Sequence, residues 1–100
     1  MLVPTGKRLV IEFVGVDVNV PSGQKVLAAV GTTLGSATLF HPIVTATLPG
    51  VGGQDVFRAS QPVRLYADPG TSVGLFITRA GTVGAGHAVV TVSGHLVDLP

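Results

Sequence analysis

From Lys7 to Val20, fourteen residues, apolar side chains recur at every second position, the period of a strand with one buried face. Leu9, Ile11 and Phe13 alternate with Arg8, Val10 and Glu12; Val16, Val18 and Val20 then alternate with Asp17 and Asn19. The apolar set is odd-numbered at first and even-numbered afterwards. A slip of one residue turns every side chain to the opposite face, so the backbone must absorb the change. The pattern predicts a bulge at Gly15, within Val14-Gly15-Val16, or a strand that passes there from one sheet to the other.

The rest of the chain carries the same bias. Valine, isoleucine and threonine make up 31 of the 100 residues, and glycine and proline add 21 more in clusters. Stiff β-branched side chains suit strands, and the clusters cut the chain into short pieces. Pro21-Ser22-Gly23 reads as a turn. Lys25 to Thr33 reads as a strand: Val26, Leu27, Val30 and Leu34 have helical spacing, but Gly31 and the Thr pair oppose a helix. Thr38 to Leu48 is another strand, with Phe40, Val44, Ala46 and Leu48 on one face. Pro42 removes a ladder donor from it, which predicts an edge or a bend. Pro49 to Gly53 reads as a loop and Asp55 to Ala59 as a short strand.

Gln61 to Asp68 alternates Val63, Leu65 and Ala67 against Arg64, Tyr66 and Asp68. Asp68-Pro69-Gly70-Thr71 has the residues of a type II turn, and Ser72 to Arg79 follows. These two runs are expected to pair as a hairpin. Ala80 to His87 is a Gly-rich loop. Ala88 to Leu99 closes the chain, with Val90, Val92 and Leu96 inward and Thr91, Ser93 and His95 outward. The expectation is one all-β domain over residues 1–100, an antiparallel β-sandwich of about eight strands, jelly-roll-like or otherwise of Greek-key type.

Charge narrows the partners. Only 11% of residues are charged, against about 25% in an average soluble domain, and 46% are apolar. A chain this short has much surface and few charges to cover it, so apolar surface stays exposed or is covered by another subunit. A net charge of +1 offers no field for a polyanion, and Lys7-Arg8 is the one adjacent basic pair. Nucleic-acid binding is not expected. The longest strictly apolar run, Val26 to Val30, is far shorter than the ~20 residues of a membrane-spanning helix. Met1-Leu2-Val3-Pro4 is not a signal peptide. Either a cytoplasmic protein or an exported one whose signal has been removed is expected.

No chemistry-bearing motif stands out. There is no cysteine, which excludes disulfides, thiolate metal sites and a cysteine nucleophile. His41, His87 and His95 show no close metal-ligand spacing and read as rim residues. Ser93, His95 and Asp98 contain the residue types of a hydrolase triad, but Asp98 has the opposite parity. Asp17 and Asn19 offer too few oxygens for calcium, and neither Gly-rich loop holds a Gly-Lys-Ser/Thr phosphate motif. Asp68 reads as a turn residue bonded to its own backbone. No catalytic residue, metal or cofactor is expected.

The segments Val3-Pro4-Thr5-Gly6-Lys7-Arg8-Leu9-Val10-Ile11-Glu12, Arg64-Leu65-Tyr66-Ala67-Asp68-Pro69-Gly70-Thr71 and Thr91-Val92-Ser93-Gly94-His95-Leu96-Val97-Asp98 together resemble uncharacterised small bacterial β-sandwich proteins, often exported. The resemblance covers both ends and the Asp68-Pro69-Gly70-Thr71 hairpin, and leaves the middle unmatched. It implies a bacterial origin and a signal peptide that has been removed, and it carries over no activity or site residue. From the residues themselves, a non-catalytic structural or interaction module is expected, forming a homo-oligomer, dimer or trimer. The outward Val10, Val14 and Phe76 are candidates for its contact. The alternative is a carbohydrate or small-ligand module using Arg64 and Tyr66, the only tyrosine in a chain without tryptophan.

Overall fold

The computed structural model describes residues 1–48, 52–81 and 84–99. It is all-β: β1 Lys7–Pro21, β2 Val26–Leu34, β3 Ala37–Ile43, β4 Ala46–Leu48, β5 Gln54–Ala67, β6 Gly74–Arg79 and β7 His87–Asp98. The seven strands form two antiparallel sheets, one ordered β4-β5-β1-β7 and the other β3-β2-β6. No helix is long and apolar enough to cross a membrane among the described residues.

The parity change in β1 is real, and it sits at Glu12 rather than at Gly15. Between Ile11 and Val14 β1 advances three residues, while β7 advances two, Gly94 to Val92. Over the same interval β5 advances four, Leu65 to Gln61. Even residues of β7 and odd residues of β5 therefore keep one face throughout, and only β1 switches. Its inward set runs Leu9, Ile11, Val14, Val16, Val18, Val20, and Glu12 is turned out to solvent. Pro62 lies opposite Phe13 at this irregularity, a place where a missing ladder donor is tolerated.

Val14 is consequently fully buried (0% exposed), not outward as the alternation predicted. Val10 does point away from the core, but Tyr66 and His95 stand beside it in register and only 8% of it is exposed. Neither side chain is open to a subunit contact.

The strand count also differs from the expected eight. Asp55–Ala59 and Gln61–Asp68 are one continuous strand, β5, with Pro62 inside it. The run Thr38–Leu48 is two strands in different sheets, because the chain crosses over at Val44-Thr45. Pro42 lies on the edge strand β3, as its missing donor required. The expected hairpin across Asp68–Thr71 does not form: β5 pairs with β1 and β4, and β6 pairs with β2. The turn itself has the type II form, with Gly70 at φ 72° and the Thr71 N–H donating to the Asp68 carbonyl at 3.3 Å. Its role is to carry the chain between sheets. The predicted loop segments Pro49-Gly50-Val51 and Thr82-Val83 lie outside the described residues.

One cluster of buried residues draws on both sheets: Ile11, Val14, Val16, Val18 and Val20 of β1, Val26, Ala28 and Val30 of β2, and Ile43, Phe57 and Val73. The molecule around it is long and thin, 53 × 22 × 16 Å. Its radius of gyration, 15.3 Å, exceeds the ~13 Å of a typical 100-residue domain. Its surface of 5993 Å² exceeds the ~5,300 Å² of a compact monomer of this mass.

The bulge makes a demand on β7. A Cβ at Gly94 would lie 1.9 Å from the Val10 carbonyl oxygen, a backbone atom that cannot move without breaking the β1–β7 ladder. At Gly15 an added Cβ would meet only side chains at ordinary contact distance, the Phe13 ring at 3.4 Å and Thr91 Cβ at 3.7 Å. Gly94→Ala is expected to cost roughly 3 kcal/mol or more, and Gly15→Ala less than about 1 kcal/mol, read from urea-unfolding midpoints. Equal costs at the two positions would place the bulge elsewhere.

Candidate functional site

Two surfaces carry the residues that the sequence singled out, one on each sheet. On the outer face of β3-β2-β6 the register lines up Phe40, Gly31 and Gly74, and beside them Pro42, Ala29 and Phe76. The small residues of the middle strand leave a shallow floor. The Phe76 ring lies over it, so close that a Cβ on either Gly31 or Gly74 would come within 2.7 Å of the ring. Phe40 meets that ring edge-on, with centroids 5.2 Å apart and planes at 69°, an arrangement that favours aromatic pairs. Phe40 is 59% exposed and Phe76 48%, and Leu27 and Val44 stand open beside them.

Phe76 thus remains where the sequence reading put it, facing away from the core. The alternation set Phe40 on one face with Val44, Ala46 and Leu48, but Ala46 and Leu48 belong to β4 in the other sheet. The strand break at Val44-Thr45 ends that alternation, and Ile43 is the buried residue of β3. The signal that could have revealed the aromatic pair is glycine inside strands, at Gly31 and Gly74, where a ring needs room.

The second surface is the outer face of β4-β5-β1-β7. Arg64 and Tyr66 share it, both exposed, and no hydrogen bond or ion pair of Arg64 occurs among the described residues. Tyr66 lines a shallow groove with Arg8, Leu34, Gly35 and Asp68. Arg8 is already engaged there: its Nε and Nη2 donate to Asp68 Oδ1 at 3.2 and 3.1 Å. The other carboxylate oxygen accepts the Gly35 N–H at 2.6 Å. Gly35, at φ 60°, opens the two-residue turn joining β2 to β3, where a glycine at the first position matches a type II′ hairpin. The Asp68 N–H donates to the Thr33 carbonyl at 2.9 Å, and the Thr71 hydroxyl donates to the Asp68 carbonyl at 2.7 Å. Asp68 therefore does more than close its own turn: it ties β1, the β2–β3 turn and the β5–β6 turn together.

The other polar residues are distributed rather than gathered. The buried hydroxyl of Thr32 has His41 Nε2 as its partner at 3.0 Å, the pairing that burial of a hydroxyl calls for. His95 pairs with Glu12 and Asp98 with Lys7, so Ser93, His95 and Asp98 are not linked to one another. Asp17 pairs with Arg58. No three His, Asp or Glu side chains gather into a metal-binding group among the described residues. A further cleft of about 960 Å³ opens where the chain passes from β3 to β4, its walls including Val26, Ile43, Phe57 and Phe76.

No family model, no curated protein and no solved structure matches the chain.

The Gly35 N–H and the Arg8 guanidinium hold the Asp68 carboxyl below its ordinary pKa. Because the folded value is depressed, the stabilisation is fully present above the unfolded pKa near 4 and is lost as pH falls through the folded value. Asp68→Asn is expected to unfold earlier in urea than the parent at pH 7. The gap should close progressively below pH ~4. A gap that stays constant down to pH 2 would mean that the charge of Asp68 contributes nothing.

Proposed function

We propose that this protein is a non-catalytic structural or interaction module that self-associates, with the outer face of β3-β2-β6 as its contact. The observation that carries the reading is the exposed Phe40–Phe76 pair, seated on a glycine floor and flanked by Leu27 and Val44. Aromatic side chains lead the energetics of protein contacts, and an apolar patch free of charge has little else to do in water. The low charge content supports the same reading, as does a surface larger than a chain of this mass needs. The finer view of the fold, a jelly-roll-like sandwich, is part of this proposal and draws on the single core cluster shared by the two sheets.

Phe76→Asp is expected to raise the dissociation constant of the assembly at least tenfold, a loss of about 1.4 kcal/mol or more. Light scattering on a sizing column reads the change, while circular dichroism should be unaltered. An unchanged mass sinks the assignment of this face.

A small-ligand module is the second reading, favoured by the cleft beside Phe57 and Phe76 and by Tyr66 above its groove. Carbohydrate is the ligand class that an exposed tyrosine with an exposed arginine beside it would suit. A glycan array and a fragment screen without hits end that alternative, and carbohydrate hits indifferent to Tyr66→Ala remove Tyr66 from it.

A further inference from the structure

Four strands form the edges of the two sheets: β4 and β7 of one, β3 and β6 of the other. An edge presents a row of free N–H and C=O groups, a template for a further strand unless something blunts it. Three of these edges are blunted. β4 has three residues, β3 carries Pro42, and β6 has six residues and ends on Arg79. β7 is different. It runs for twelve residues, pairs with β1 from Asp98 to His87, and contains no proline, lysine or arginine. On its inner face Val90 and Val92 pack against the core and Leu96 is 46% exposed; on its outer face Val89 stands open.

We propose that β7 is an assembly edge that receives β7 of a second copy, antiparallel about a two-fold axis at Val92. The two four-stranded sheets then become one sheet of eight. Antiparallel mating of identical strands is self-complementary and closes on itself, which a heterologous contact does not. The axis at Val92 sets Val92 against Val92, Val90 against Gly94 and Ala88 against Leu96, all from the inner faces. On the outer faces Thr91 meets Ser93 and Val89 meets His95. Apolar residues are thereby continued by apolar or small ones on one side and by polar ones on the other.

Charge placement selects the direction. The two end residues of β7 are His87 and Asp98, and antiparallel addition brings the imidazole of each copy to the carboxylate end of the other. Asp98 stays bonded to Lys7 of its own chain, with its side chain 84% exposed. Parallel addition would set carboxylate near carboxylate. The edge belongs to the sheet that does not carry Phe40 and Phe76, so the edge contact and the face contact stand or fall separately.

The chain has no cysteine, so single-cysteine variants of the whole protein report the contact without background. Residues facing each other across an antiparallel pair have Cα atoms about 4.5–5.5 Å apart, within the span of a disulfide. Val92→Cys is expected to give a disulfide-linked dimer under mild oxidation, at a yield about fivefold or more above Val89→Cys or Val97→Cys, which the axis separates by several residues. Thr91→Cys combined with Ser93→Cys should link as well as Val92→Cys. The same linking should persist when Phe76→Asp is added. A yield that peaks at Val89→Cys or Val97→Cys overturns the proposal, as does uniform or absent linking. So does linking at Val92→Cys that disappears with Phe76→Asp, since the edge would then follow from the face contact.

Discussion

Strand β1 has neighbours on both sides, and its own apolar residues change parity half-way along. That conflict has one economical resolution, an extra residue at Glu12 that β7 does not match and that β5 overmatches. Everything else about the four-stranded sheet follows from it. With the bulge in place, Leu9 and Ile11 join Val14, Val16, Val18 and Val20 on one face, and the core becomes continuous over the whole strand. Without it, half of these side chains would face water, a loss of about 1.5–3 kcal/mol for each large one exposed. The same bulge explains why Gly94 has no Cβ to clash with the Val10 carbonyl, and why Pro62 is tolerated within a strand.

A second constraint holds the sheets to each other at one end. Asp68 receives donors from β1 and from the β2–β3 turn while closing the turn that leads into β6. The N-terminal residues reinforce this corner: the Val3 N–H donates to the Thr71 carbonyl and the Gly70 N–H to the Val3 carbonyl, both at 2.9 Å. A partly exposed carboxylate with several donors is a modest source of stability, but here it links segments far apart in the chain. At the other end the sheets part where β3 passes to β4, and the apolar cleft opens there. A long molecule closed at one corner and open elsewhere keeps more apolar surface than its charge can offset. On the proposed reading, association with another copy covers that surface, at the aromatic face and at the β7 edge.

Much of this was readable from residue order. Period-two alternation placed β1, the second half of β5 and β7, and the Val14-Gly15-Val16 neighbourhood announced a bulge only three residues from its true position. Pro42 announced an edge, and Asp68-Pro69-Gly70-Thr71 announced its turn. All of these are local: they depend on parity, on a missing donor, or on which residue accepts positive φ. Phe76 was likewise legible as a ring on the wrong face for the core.

What residue order left open was which strand pairs with which. A tight turn between two alternating runs predicts a hairpin, yet β5 and β6 part into different sheets, because β1 and β2 offer each a longer or better-matched partner. The burial of Val14 depends on where the bulge falls, and that is settled jointly by β5 and β7 through the Gly94 and Pro62 positions. The exposure of Phe40 depends on the chain leaving its sheet at Val44. The sequence by itself determined that this chain makes strands, where many of them turn, and that its charges are too few to cover it, since those are local propensities and counts. Pairing, register and the resulting aromatic face were decided by tertiary contacts between residues distant in the chain, where backbone ladders and side-chain volumes must be satisfied together.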